Sequence, residues 1–224
     1  MCRFGDTPSL FVREVVSLSV QRAAVRQGIQ IEQISIAWMV VEAGVALWAG
    51  LQAHSIVLIA FGADSIIELI AGFVLLWRLG LEARGASLAR VRRAERSASW
   101  IVGGALFLLA VYILASAGHA LWTHSGADAS LPGLGLSVAS GLLMPFLASA
   151  KKRIGAEIGS QALKADGASS FVCAYMAWTV LAGVLLTAWF GWWWADSVAA
   201  LALVYFVIKE GLEAIHEALG KEDT

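Results

Sequence analysis

Apolar residues along this chain gather into six blocks separated by polar stretches, approximately Ile34–Leu51, Ser55–Trp77, Ser99–Trp122, Leu134–Ala150, Ser170–Phe190 and Trp194–Ile208. A helix rising about 1.5 Å per residue needs about 20 residues to cross a hydrocarbon core of about 30 Å. Each block is near that length, the fourth and sixth being the shortest. Ahead of them, Leu10 to Gln27 mixes Leu10, Phe11, Val12, Val15, Val16, Leu18 and Val20 with Arg13, Glu14, Arg22 and Arg26. That pattern suits an amphipathic helix lying on a membrane surface rather than one that crosses. The fold predicted is an all-α integral membrane protein, a six-transmembrane-helix bundle.

Composition agrees, since 224 residues with 59% hydrophobic and 15% charged side chains and a mean hydropathy of +0.74 are too apolar for a soluble domain of this size. Charge then orients the bundle. The N-terminal stretch carries four Lys or Arg (Arg3, Arg13, Arg22, Arg26) and the second connection six (Arg78, Arg84, Arg90, Arg92, Arg93, Arg96). The fourth connection carries four (Lys151, Lys152, Arg153, Lys164) and the C-terminal tail two (Lys209, Lys221), which accounts for all 16 in the chain. The first, third and fifth connections have none, so the positive-inside rule places both termini in the cytoplasm with six crossings. The domain division expected is a cytoplasmic amphipathic segment at 1–32, a six-helix transmembrane domain at 33–210 and a short cytoplasmic tail at 211–224.

The arginine-rich connection reads as a solvated face held against anionic lipid, and Gly191-Trp192-Trp193-Trp194 as an anchor at the opposite headgroup boundary. No basic surface is left over for nucleic acid. Cys2 in a polar tail and Cys173 in an apolar run give no disulfide framework. No cleavage site follows the N-terminal arginines, so no signal peptide is read.

The stretch with chemistry in it is Gly62-Ala63-Asp64-Ser65-Ile66-Ile67-Glu68-Leu69, which sets two carboxylates four residues apart inside an apolar run. On a helix they share a face, roughly 6 Å apart along the axis. One charged group near a bilayer centre costs about 2.5 to 3.5 kcal/mol even on the lenient insertion scale. The pair is therefore protonated, paired with an arginine, or turned to a polar cavity that binds a cation. On the fifth block and its approach, Asp166, Ser169, Ser170 and Cys173 fall at intervals that offer a carboxylate, two hydroxyls and a thiol to one helix face. If the second and fifth helices are neighbours, Asp64 and Glu68 meet Cys173, with Ser169 or Asp166 nearby. Oxygen and sulfur together suit Zn(II) or another borderline-soft divalent ion better than Mg(II) or Ca(II). The competing reading is that Cys173 is a small apolar residue and the serines pack or bond their own backbone.

Other polar positions invite structural readings. Glu42, midway along the first block, marks a polar interior, a proton path or a buried pair. Asp196 stands where a helix N-terminus favours an acidic residue. His54, His119 and His124 lie near the uncharged end, as interfacial residues or a site at the exit. Nucleophile motifs, glycine-rich phosphate loops and His-Glu-x-x-His patterns are missing, so no enzyme is expected.

From Ile34 to Leu219 the sequence resembles the transmembrane domain of the cation diffusion facilitator family, the divalent-metal/proton antiporters. The resemblance is carried by Ser55-Ile56-Val57-Leu58 through Ala63-Asp64-Ser65-Ile66-Ile67-Glu68, by Leu163-Lys164-Ala165-Asp166, and by Trp193-Trp194-Ala195-Asp196-Ser197 running on to Glu210-Gly211. It implies six helices with cytoplasmic ends, neighbouring second and fifth helices, and a homodimer. The family's helix-two ligand pair falls on Asp64 and Glu68. Its His-x-x-x-Asp pair on helix five falls on Ser169 and Cys173, so neither usual ligand is kept. Either Cys173 with Asp166 or Ser169 completes a modified site of altered metal preference, or transport has been lost. The family's cytoplasmic dimerising domain has no counterpart in the residues after Lys209.

The function expected is efflux of a zinc-like divalent cation across the cell membrane, in exchange for protons, with the metal as cargo and no cofactor. The alternatives are a non-transporting membrane binding or assembly protein on the same scaffold, or a proton-coupled organic-cation carrier.

Overall fold

The computed structural model describes the backbone of residues 7–83, 88–158 and 161–219, and the side chains of residues 26–77, 96–97, 99–157, 163–164, 166–216 and 218–219. Among them are six α-helices and no strand: α1 (Thr7–Ala53), α2 (Ile56–Ala83), α3 (Leu88–Thr123), α4 (Leu131–Ile158), α5 (Gln161–Phe190) and α6 (Ala195–Leu219). Five contain stretches long and apolar enough to cross a membrane, over Arg26–Ala53, Ile56–Trp77, Ser99–Thr123, Leu131–Glu157 and Asp166–Phe190. α6 has 25 residues, but its apolar stretch is confined between Asp196 and Lys209.

The amphipathic stretch and the first block are one helix rather than two. α1 is 47 residues long, about 70 Å, and no break precedes the block at Ile34. The apolar candidate span begins at Arg26 and so takes in Glu32, which is fully buried. The side chains of the N-terminal arginines before Arg26, of the arginines from Arg78 to Arg93, of Cys2 and of Lys221 lie outside the described residues.

α2 is the middle of the bundle, packed against α1, α3, α5 and α6, while α4 packs on α1 and α5. The largest core gathers Leu58 and Phe61 of α2 with Ile113, Met176, Val180, Leu203 and Val207. Lipid tails are as apolar as leucine, so fit between helices rather than escape from water holds such a core together. Glycine permits that fit at two crossings. A Cβ on Gly62 would lie 2.9 Å from Leu47 Cγ and 3.0 Å from the Leu47 backbone nitrogen, and one on Gly183 would lie 2.6 Å from Ala199 Cβ. Outward-facing side chains such as Leu108, Val111, Trp122, Phe146 and Tyr205 are exposed and apolar, as lipid contact requires.

One end of the bundle carries Trp122, Trp189 and the Trp192-Trp193-Trp194 run, the other the lysines. At the tryptophan end the chain turns from α1 to α2 through His54, held at φ 52° in the left-handed region. The Ser55 N–H donates to the Gly50 carbonyl at 2.9 Å, closing the last turn of α1. Ser55 Oγ then accepts the Leu58 N–H at 3.2 Å and caps α2. Asp196, in the first turn of α6, completes that cap. It accepts the Ile56 N–H at 2.8 Å, the Val57 N–H at 3.4 Å and the Ser55 hydroxyl. Its negative charge thus serves the positive end of α2 and ties α6 to it. The Asp128 N–H donates to the Ala53 carbonyl at 2.8 Å, fastening the α3–α4 loop to the same place.

Candidate metal centre

Four residues make one helical turn, so α2 presents Asp64 and Glu68 on the same face, and α5 does the same with Ser169 and Cys173. The two faces meet, because α2 and α5 are neighbours. Asp64 and Cys173 are each 1% exposed, and one ligand atom from each of Asp64, Glu68 and Cys173 lies within 4.8 Å of the others. The Cys173 thiol donates to Glu68 Oε1. Ser169 Oγ stands 3.5 Å from that same oxygen and 2.9 Å from Oε1 of Glu210, which reaches in from α6.

Two buried atoms of this cluster, Asp64 Oδ1 and Glu68 Oε2, have no hydrogen-bond partner. Among the described residues no lysine or arginine forms an ion pair with Asp64, Glu68 or Glu210. A buried acceptor without a partner costs about 1 to 3 kcal/mol, and more when charged. Carboxylates so placed are relieved by protons or by a metal ion. The donor set, carboxylate oxygens with one sulfur, fits a borderline-soft divalent ion.

The other acidic residues are accounted for differently. The Asp166 carboxylate is not brought to the cluster. It contacts Lys151 Nζ at 2.5 Å, and Glu32 Oε2 contacts the same nitrogen at 3.1 Å. Lys151, one of the cations counted toward the charged connections, is fully buried with them. Glu42 accepts from the Trp38 indole N–H at 3.1 Å, from Ser65 Oγ at 2.8 Å and from Ser140 Oγ, so donors rather than a cation satisfy it. His54, His119 and His124 are exposed and lie outside the cluster.

Glu210 is the member the sequence reading left out. Ala200, Leu203, Val207 and Glu210 form a single stripe at spacings of three and four, the first three fully buried and Glu210 8% exposed. A carboxylate continuing an apolar stripe was the available signal. Lys151 continues Met144, Leu147 and Ala148 in the same way.

The description cation efflux transmembrane domain fits residues 33–220. The chain belongs to the cation efflux family. In that family metal ions are cargo and not cofactors. An uncharacterized transporter of Synechocystis is 26% identical over 189 residues, which are 83% of this chain and 61% of that protein. Transmembrane protein 163 of Xenopus laevis is 26% identical over 156 residues, 70% of this chain and 54% of its own length. The matched part is thus less than two thirds of either relative. Within the matched residues, α2 carries the carboxylate pair Asp64 and Glu68, and α5 carries Ser169 and Cys173.

Proposed function

We propose that this chain carries a zinc-like divalent cation across a membrane, held at mid-bundle by Asp64, Glu68 and Cys173 with Ser169 beside them. The observation that carries the reading is the convergence of these three ligand groups, fully or nine-tenths buried, with two carboxylate oxygens left unpartnered. A cation satisfies them on arrival, and protons replace it on departure, so metal and protons compete for the same carboxylates and exchange in opposite directions. The six helices cross the cell membrane with both termini in the cytoplasm, in keeping with the position of Lys151, Lys152, Arg153, Lys164 and Lys209 toward one end of the bundle. Family membership supports a pair of chains as the working unit. Cys173 gives the site a softer character than carboxylates alone, favouring zinc and cadmium over magnesium.

The test is metal flux into proteoliposomes under an imposed pH gradient, offering Zn, Cd, Co, Mn and Fe(II) to the wild type and to Asp64→Asn plus Glu68→Gln. Gradient-dependent uptake of one or more ions, lost in the double variant, is the expected result. No flux of any ion from well-folded wild type overturns the proposal and leaves a non-transporting scaffold.

A further inference from the structure

We propose that Glu210 of α6 is a cation ligand. With Glu68 and Ser169 it forms an all-oxygen station next to the Asp64–Glu68–Cys173 cluster, on the side toward the lysine end. The inference rests on the transport reading above and adds a second position to its path.

The hydroxyl of Ser169 stands between two carboxylates, 2.9 Å from Glu210 Oε1 and 3.5 Å from Glu68 Oε1. It has one proton, so it satisfies one of them at a time. Glu68 is 9% exposed and its Oε2 has no partner. Glu210 is 8% exposed at the end of an otherwise apolar stripe. Its neighbour Lys209 is on the exposed side of α6 and pairs with Glu213 at 3.7 Å. The charge of Glu210 also bears on Asp64, Glu68 and Cys173 alike, which places it within the electrostatic reach of the whole cluster. Two buried carboxylates bridged by one neutral hydroxyl make a ready oxygen site for a divalent ion.

Glu68 belongs to both positions. A shared carboxylate lets an ion be handed from the sulfur-containing cluster to the oxygen-only station without losing all its ligands at once. The two stations also differ in chemistry, since the first favours a soft ion and the second a hard one. Cadmium and manganese therefore report on them separately.

The experiment uses the full chain purified in detergent. Mn(II) binding is read from loss of the free ion's paramagnetic resonance signal, and Cd(II) binding from the ultraviolet sulfur-to-cadmium absorption, measured in a Cys2→Ser background so that Cys173 is the one thiol left in the chain. Glu210→Gln is expected to weaken Mn(II) by at least about tenfold, to slow flux of both ions, and to leave the cadmium–sulfur absorption in place. Cys173→Ser is expected to lose that absorption and keep Mn(II). Unchanged Mn(II) affinity in folded Glu210→Gln overturns the inference and leaves the Asp64–Glu68 reading standing. Wild-type binding of both ions by Asp64→Asn plus Glu68→Gln instead brings down the transport reading itself. Should Glu210→Gln fail to fold, Ser169→Ala removes only the bridging hydroxyl. A matching loss of Mn(II) affinity supports the station, and an unchanged affinity overturns it.

Discussion

Two groups of buried acidic side chains lie within this bundle, and they are completed in different ways. Toward the lysine end, Glu32 of α1 and Asp166 of α5 close on Lys151 of α4, whose ammonium is 3.1 Å from one carboxylate and 2.5 Å from the other. Farther in, Asp64, Glu68 and Glu210 are as well buried, yet among the described residues no lysine or arginine pairs with them. The first group carries its cation as part of the chain and so joins three helices permanently. The second has no such cation among the described residues, and protons or a bound metal ion would complete it. Burial of acid is common to both, so burial alone does not mark a functional site. What sets the second group apart is acid without a built-in countercharge among the described residues.

The largest expected effect comes from undoing that difference. Lys151→Met leaves Glu32 and Asp166 buried without a partner, and breaking a buried pair from one side costs about 3 to 5 kcal/mol. Thermal unfolding in detergent should show a large drop in melting temperature, with most of it recovered when Glu32→Gln and Asp166→Asn are added. A melting temperature equal to wild type in Lys151→Met alone would mean that the triad is not a structural joint.

At the central cluster the same kind of measurement should give the opposite sign. Asp64→Asn removes a buried carboxylate that has no countercharge, so metal-free protein should melt no lower than wild type. What it loses is the response to ligand. Zinc at 100 times its Kd stabilises a single-site protein by about 2.7 kcal/mol, and Asp64→Asn should show none of that increment. A metal-free variant that is destabilised as strongly as Lys151→Met would put both acidic groups in the same structural class.

Much of this was visible in the sequence, for reasons that can be named. The helices followed from the apolar blocks, and Asp64 and Glu68 from their spacing, because both signals are local. Cys173 and Ser169 followed from the same spacing once α2 and α5 were taken as neighbours. Lys151 and Glu210 were hidden because their meaning is not local. Each sits where a span runs into a charged connection, and there a charged residue reads as solvated. Only the contact between α1, α4 and α5 shows Lys151 to be buried, and only the contact between α5 and α6 brings Glu210 to Ser169. Asp166 was drawn toward the metal set by its spacing from Ser169 and Cys173, but Lys151 had the stronger claim on its charge. Asp196 was placed correctly at the start of α6, although the helix it caps is also α2.

Glu42 gives the smallest effect and the sharpest control. It is fully buried and lies close enough to Asp64 for its charge to be felt there, yet it needs neither lysine nor metal. Trp38 on its own helix, Ser65 of α2 and Ser140 of α4 donate to it and so clasp three helices around one carboxylate. Ser140→Ala removes one donor of the three. Two remain to hold the group, so the expected loss is about 1 to 2 kcal/mol of stability, read as a modest fall in melting temperature. Zinc affinity should not change, because Trp38 and Ser65 still hold Glu42, which stands outside the Asp64–Glu68–Cys173 group of ligand atoms. If zinc affinity fell along with stability, Glu42 would belong to the cation path, and a full set of hydrogen-bond donors would no longer separate a structural carboxylate from a functional one.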